Sequence, residues 1–231
     1  MPAPAPKVRE RSRDAILVAA EAAFAEHGFS GARIDDIAAA SGFNKTLIFR
    51  HYGDKLGLYT AVLKRIDEEI TNLQRTNFAP LLQTEDLVKS RAKFTSLIKA
   101  MAGTTFDYMV AHHRTLRILN WEAAEGWRTF AKIATQFPTE ELERVEDIFR
   151  QARRAGLLRS GFHPLIQMSM VSQICVSYLA SLPLYQLIVA DKDLAAEGSL
   201  EEAKKYVVEA IVRGMVTEEH KGLFDRQGQL Q

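Results

Sequence analysis

The chain has 231 residues, enough to bury a core in one large domain or in a small and a large one. Its 30 Lys+Arg and 29 Asp+Glu leave a formal charge of +1, which excludes a global field for nucleic acid and confines any such footprint to a local patch. A single cysteine, Cys175, excludes a disulfide framework and suits a reducing cytosol, while 47% hydrophobic residues with only 13 Gly and 7 Pro favour an ordered, helix-rich protein.

Residues 1–11 are expected to form an irregular basic arm, because "MPAPAPK" has no periodicity and "KVRERSR" sets four cations against Glu10. The same start mimics an export signal, but Asp14 and Glu21 interrupt its apolar run. From there apolar residues recur at helical spacing nearly to the end, and no alternating strand pattern appears, so the chain reads as all-α. Ser12 can cap a first helix with Ile16, Leu17, Ala20 and Phe24 inward, ending at Gly28. A short helix around Asp35 to Ala40 closes at Gly42, and another runs from Asn44 to about Tyr52. Asp54 can cap a fourth that continues through Leu58, Val62, Ile66 and Ile70 to about Arg75.

Longer helices follow. Thr84, with Glu85 and Asp86 in the first turn, is expected to open one whose Phe94, Leu97, Ile98, Met101, Thr105 and Tyr108 share a stripe. Arg114 to Glu125 ends at Gly126, and Pro138 and Thr139 start a helix with Leu142, Val145, Phe149 and Ala152 inward and Gly156 as its stop. Pro164 begins a stretch without a charged residue as far as Ala190, in which Pro183 should end or kink the helix. That stretch is long enough to span a bilayer, but Gln167, Ser169, Ser172, Gln173, Ser177, Ser181 and Gln186 are spread through it, and an interface helix fits better than a membrane span. "SLEE" at 199–202 forms a capping box, and Tyr206, Val207, Ala210, Ile211 and Gly214 give the last helix one apolar side.

The stretch Gly42 to Lys55, "GFNKTLIFRHYGDK", carries the chemistry. A helix, a Ser41-Gly42 turn and a second helix capped by Asn44 make a helix-turn-helix, which can enter the DNA major groove by the N-terminal end of its second helix while flanking cations meet phosphates. Spacing alone leaves an ordinary helical hairpin with a solvated cationic face as the alternative. The residues around it add more: "ILVAAEAAFAEHGFSGARIDDIAAASGFNKTLIFRHYGDKLGLYTAVL", Ile16 to Leu63, resembles the DNA-binding region of TetR-type transcriptional repressors. Ala20, Phe24, Gly28 and Phe29 match the first helix of that pattern, Ile37, Ala38 and Gly42 the second, and His51, Tyr52, Lys55 and Leu58 the recognition segment.

The resemblance implies a three-helix DNA-binding domain over residues 12–57 and a helical ligand-binding and dimerisation domain over 58–231, about nine helices in all. It puts Lys45, Thr46 and Arg50 at base edges, Asn44 at the cap, Leu47 and Phe49 as apolar contacts, and Arg33, His51 and Lys55 on phosphates. Two departures bear on this. Arg33 stands where the family often has Thr at the entrance of the second helix, so the cap is lost, and Phe49 stands where Tyr is usual, so a hydroxyl contact gives way to packing on a thymine methyl.

In such a protein the last two long helices pair with their copies to make a homodimer, and a small molecule binds within the larger domain. Phe94, Met101, Tyr108, Trp121, Trp127, Phe130, Phe149 and Tyr178 are the large candidates for lining that pocket, with His112, Asn120, Glu122 and Gln173 as polar contacts; simple core packing is the alternative for each. His112 and His113 diverge on a helix, and no HExxH, Glu-x-x-His pair or Gly-rich phosphate loop occurs, so no enzyme activity, metal or cofactor is expected. The expected protein is cytoplasmic, takes double-stranded DNA, an unidentified small molecule and its own copy as partners, and acts as a repressor at a palindromic operator. The alternative is a helical DNA-binding or adaptor protein without ligand control.

Overall fold

The computed structural model of the chain describes residues 6–159 and 163–218. Ten α-helices occur in chain order: α1 (Pro6–Gly31), α2 (Ile34–Ser41), α3 (Lys45–Tyr52), α4 (Lys55–Asn77), α5 (Ala79–Leu82), α6 (Arg91–Ala111), α7 (His113–Ala124), α8 (Glu140–Arg154), α9 (Pro164–Ile188) and α10 (Glu197–Met215). Two 3-10 turns, Phe130–Lys132 and Ala134–Gln136, link α7 to α8. Among the described residues the β-structure is an isolated antiparallel bridge, Leu158 to Val216.

Two apolar cores organise these helices. The smaller gathers Ile16, Ala20 and Phe24 of α1, Ile37 of α2, Ile48 of α3 and Leu58, Tyr59 and Val62 of α4, all nearly inaccessible to solvent. Each such side chain contributes about 1.5–3 kcal/mol by leaving water. Phe24 meets Tyr59 edge-on at 4.8 Å, and Phe29 lies 5.2 Å from the same ring. The larger core joins α6, α8, α9 and α10 through Phe94, Phe106, Phe149, Val171, Cys175 and Ile211.

Helix α4 belongs to both: Leu58 to Ile66 lie in the first core, while Ile70 and Leu73 pack against the second. The two bodies therefore share α4, because one continuous helix supplies apolar surface to each.

Local signals placed the first four helices well and several later ends less well. Gly42 adopts the left-handed φ of 75° that stops α2, and the Asn44 and Asp54 side chains accept hydrogen bonds from the Leu47 and Gly57 amides at 2.9 and 2.7 Å. Helix α1, in contrast, starts at Pro6, so residues 6–11 are helical and Ser12 is a buried interior residue instead of a cap; residues 1–5 lie outside the described residues. The helix expected at Thr84 starts at Arg91, where the Ser90 hydroxyl accepts from the Lys93 amide at 3.4 Å. Ser199 lies inside α10 and donates to the Asp193 carbonyl at 2.6 Å, so "SLEE" does not begin that helix. Leu142 and Tyr206, expected inward, are 43% and 76% exposed, because Val145, Phe149, Val207 and Ile211 take the buried sides. Helix α9 runs past Pro183 to Ile188; the ring sits on the exposed side near the end, where only one backbone bond is lost.

Candidate nucleic-acid interface and the joint behind it

The second helix of the motif is held from behind and open in front. Ile48 is fully buried, and the Tyr52 hydroxyl donates to the Arg13 carbonyl of α1 at 3.1 Å. His51 lies 3.3 Å from the Ser12 hydroxyl through Nε2, which ties the end of α3 to the interior of α1. Asn44, Lys45, Thr46, Phe49 and Arg50 are exposed and Leu47 is half-buried, so the N-terminal end and one side of α3 face outward together. Phe49 is a large ring left 43% exposed on this side. Arg33 stands exposed at the N-terminal cap position of α2 and makes no side-chain cap there, as its replacement of Thr implies. Lys45 pairs with Asp35 at 2.5 Å across the two helix starts.

Lys55 is placed otherwise than expected. Its ammonium donates to the Ser30 carbonyl at 3.2 Å and sits 4.9 Å over the Phe29 ring, so it secures the end of α1. Burial there lowers its pKa from the ordinary lysine value, and the charge of Glu125 opposes that shift. A residue not singled out from sequence matters next to it: a Cβ on Gly57 would lie 1.9 Å from the Tyr52 carbonyl oxygen, so the end of α3 approaches α4 across a glycine. No local pattern announces this, since the contact is made by the fold of the turn. Beside it a concave site of about 420 Å3 is walled by His51, Tyr52, Asp54, Leu56, Lys64 and Gln136, among others.

Four pocket candidates lie instead at the joint between the two bodies. Trp121 of α7 packs its ring against Gly28, where α1 breaks at φ 66°, and its indole N–H donates to the Ala25 carbonyl at 3.2 Å. Arg117, one turn earlier, donates to the same carbonyl at 2.9 Å and pairs with Glu26. Glu122 is 2% exposed; its carboxylate accepts from the Tyr59 hydroxyl of α4 at 2.7 Å and from the Phe130 amide at 3.1 Å. Burial, then the Glu122 carboxylate, pushes the Tyr59 pKa far above that of a free phenol. Trp127 is 42% exposed and edge-on to Phe130 at 6.2 Å. The physical reason is that Ile118 and Ile133 belong to the smaller core, which turns α7 and the 3-10 segment toward the DNA-binding body.

The remaining candidates divide. Phe94 and Phe149 are fully buried and edge-on at 5.8 Å, and Met101 is 8% exposed beside them in the same core. Tyr108 donates to Glu69 of α4 at 3.1 Å and stacks on His112 at 4.0 Å, at the break between α6 and α7. Tyr178 lies between Phe106 and Tyr185, Asn120 is half-buried on α7, and Gln173 points outward from α9, away from the core.

A recognition helix exposed at its N-terminal end, locked from behind by two earlier helices and carried on a larger helical body, defines a helix-turn-helix DNA-binding regulator. The profile of bacterial regulatory proteins of the tetR family matches residues 16–62, and that of the tetracyclin repressor-like C-terminal domain matches residues 95–211. The chain therefore belongs to the TetR family of transcriptional regulators, which are not enzymes. An HTH-type transcriptional repressor of Streptomyces coelicolor is 33% identical over 152 residues, covering 66% of this chain and 65% of that protein, so just under two thirds of the relative's length is matched. The HTH-type transcriptional activator FasR of Mycolicibacterium smegmatis is 26% identical over 84% of this chain and 82% of its own. Among solved structures, a Streptomyces coelicolor protein described as a transcriptional regulator superposes with a TM-score of 0.59 at 26% identity, covering 88% of this chain and 98% of that one.

Proposed function

We propose that this protein is a repressor that binds an inverted-repeat operator in double-stranded DNA as a homodimer and is released by a small molecule. The observation that carries the reading is the outward end of α3, with Asn44, Lys45, Thr46, Phe49 and Arg50 exposed on one side and Ile48 and Tyr52 anchored on the other. Lys45, Thr46 and Arg50 reach base edges, Leu47 and Phe49 pack on thymine methyls, and Arg33 and His51 meet phosphates. Lys55 acts one step back, by fixing the end of α1.

The homodimer is supported by α9, whose Ile166, Met170, Ile174, Leu184, Leu187 and Ile188 are exposed apolar side chains on a helix otherwise packed on α6 and α8. A second copy covering that stripe gives a four-helix interface with α10, and accounts for a helix apolar enough to cross a membrane without requiring one. The sense of regulation follows the Streptomyces coelicolor repressor, and a DNA partner puts the protein in the cytoplasm. Release requires a ligand that favours one arrangement of the two bodies. The hydrogen bonds from Tyr59 to Glu122 and from Tyr108 to Glu69 link α4 to α7 and α6 and are the contacts through which the arrangement changes.

A second reading, DNA binding without ligand control, is favoured by the close packing of Phe94 on Phe149. Footprinting on the DNA upstream of the protein's own gene tests the main reading: a protected inverted repeat with half-sites about 34 Å or a small multiple apart is expected. No protection there or on any selected duplex overturns it, and protection that no metabolite extract relieves selects the second reading.

A further inference from the structure

Asp35 is a carboxylate on the surface that faces a polyanion. It stands in the first turn of α2, 2.5 Å from the ammonium of Lys45, the first residue of α3, and both side chains are about half exposed. The pair thus bridges the two helix starts that meet DNA. A carboxylate there repels phosphates and occupies a cation that would otherwise bind them. Yet the pair is not saturated: the ammonium has three donors and the carboxylate two oxygens, so a donor and an acceptor remain side by side.

The major-groove edge of a guanine–cytosine pair offers, in order, the acceptors N7 and O6 of guanine and the amino donor N4 of cytosine. An adenine–thymine pair puts its donor between two acceptors with a methyl group beyond. We infer that Lys45 and Asp35 read one guanine–cytosine pair in each half-site as a unit, the ammonium on N7 and O6 and the carboxylate accepting from N4, with Asp35 as a specificity-determining residue. On an adenine–thymine edge the donor sits between the acceptors, so the ammonium and the carboxylate are not matched together, and against phosphate alone Asp35 has no donor and repels its surroundings, so the pair works by rejecting wrong sites as much as by binding the right one. This rests on the DNA-binding reading above.

The test is selection from a randomised duplex library by the full chain and by D35A, K45Q and D36A, with each variant's helix content checked by circular dichroism. Alanine removes the acceptor oxygens as well as the charge. Asp36 is the control: it is exposed in the same turn and carries the same charge. The wild type is expected to select a guanine–cytosine pair at one position per half-site, and both D35A and K45Q to lose about tenfold of the preference at that position. D35A should also bind random duplex more tightly, with a salt slope steeper by about one, as the freed Lys45 turns to phosphate. D36A should gain random affinity and keep the preference. The inference is overturned if D35A keeps the wild-type preference, or if D35A and D36A behave alike, since Asp35 is then only a charge. A wild type that selects no motif fails the DNA-binding reading itself, and the inference falls with it.

Discussion

A Cβ added to Gly57 would lie 1.9 Å from the Tyr52 carbonyl oxygen, whereas one added to Gly42 meets nothing within 4 Å. The two glycines of the motif are therefore required for different reasons. Gly42→Ala strains only a left-handed φ and should cost about 1 kcal/mol. Gly57→Ala must push α3 from α4 and should cost about 3 kcal/mol, with the loss of DNA binding that follows from a displaced recognition helix; urea midpoints of the two variants compare them directly. A single-residue effect of similar size is expected behind the motif. Glu122→Ala leaves the Tyr59 hydroxyl and the Phe130 amide unpaired in a closed joint, a loss of about 3 kcal/mol by the same measurement. Gly42 was legible because a helix stop is a local signal. Gly57 and Glu122 were not: one is fixed by a carbonyl five residues away across a turn, and the other by a tyrosine 63 positions distant.

At the scale of helices, α4 and α6 carry buried phenols whose protons are held too tightly. Burial pushes Tyr108 up to about 12, with the Thr115 hydroxyl opposing and the Glu69 carboxylate adding to the shift, and Tyr59 is raised further in the same direction. The unfolded chain releases these protons near pH 10 while the folded chain keeps them. Between those values the folded state binds more protons, so stability is flat below pH 10 and falls as pH rises toward 12. Thermal unfolding followed from pH 8 to 11.5 should show that fall, and Tyr108→Phe should make it shallower. Helix existence was read from periodicity with little loss, helped by the Gly42 stop of α2 and the Asn44 and Asp54 caps of α3 and α4. The inward sides of α8 and α10 were read from Val145, Phe149, Val207 and Ile211, but the edges of those sides were not, because only the neighbouring helices decide that Leu142 and Tyr206 stay exposed.

For the whole molecule, the uncovered stripe of α9 is the surface on which the proposed dimer closes. Ile188→Glu places a charge on a side chain that is 71% exposed in the single chain, so on that proposal it should leave helix content unchanged and give a monomer in sedimentation velocity where the wild type gives a dimer. The joint was not visible from sequence: the aromatic residues of α7 and the following turns looked like pocket lining, and only the placement of Ile118 and Ile133 in the smaller core shows which way they face. That joint has a spectroscopic consequence. The chain has two tryptophans, Trp121 with its indole against Gly28 of the DNA-binding body and Trp127 three residues beyond the end of α7. Intrinsic fluorescence therefore originates almost wholly where the two bodies touch, and its emission wavelength reports their relative arrangement without a label.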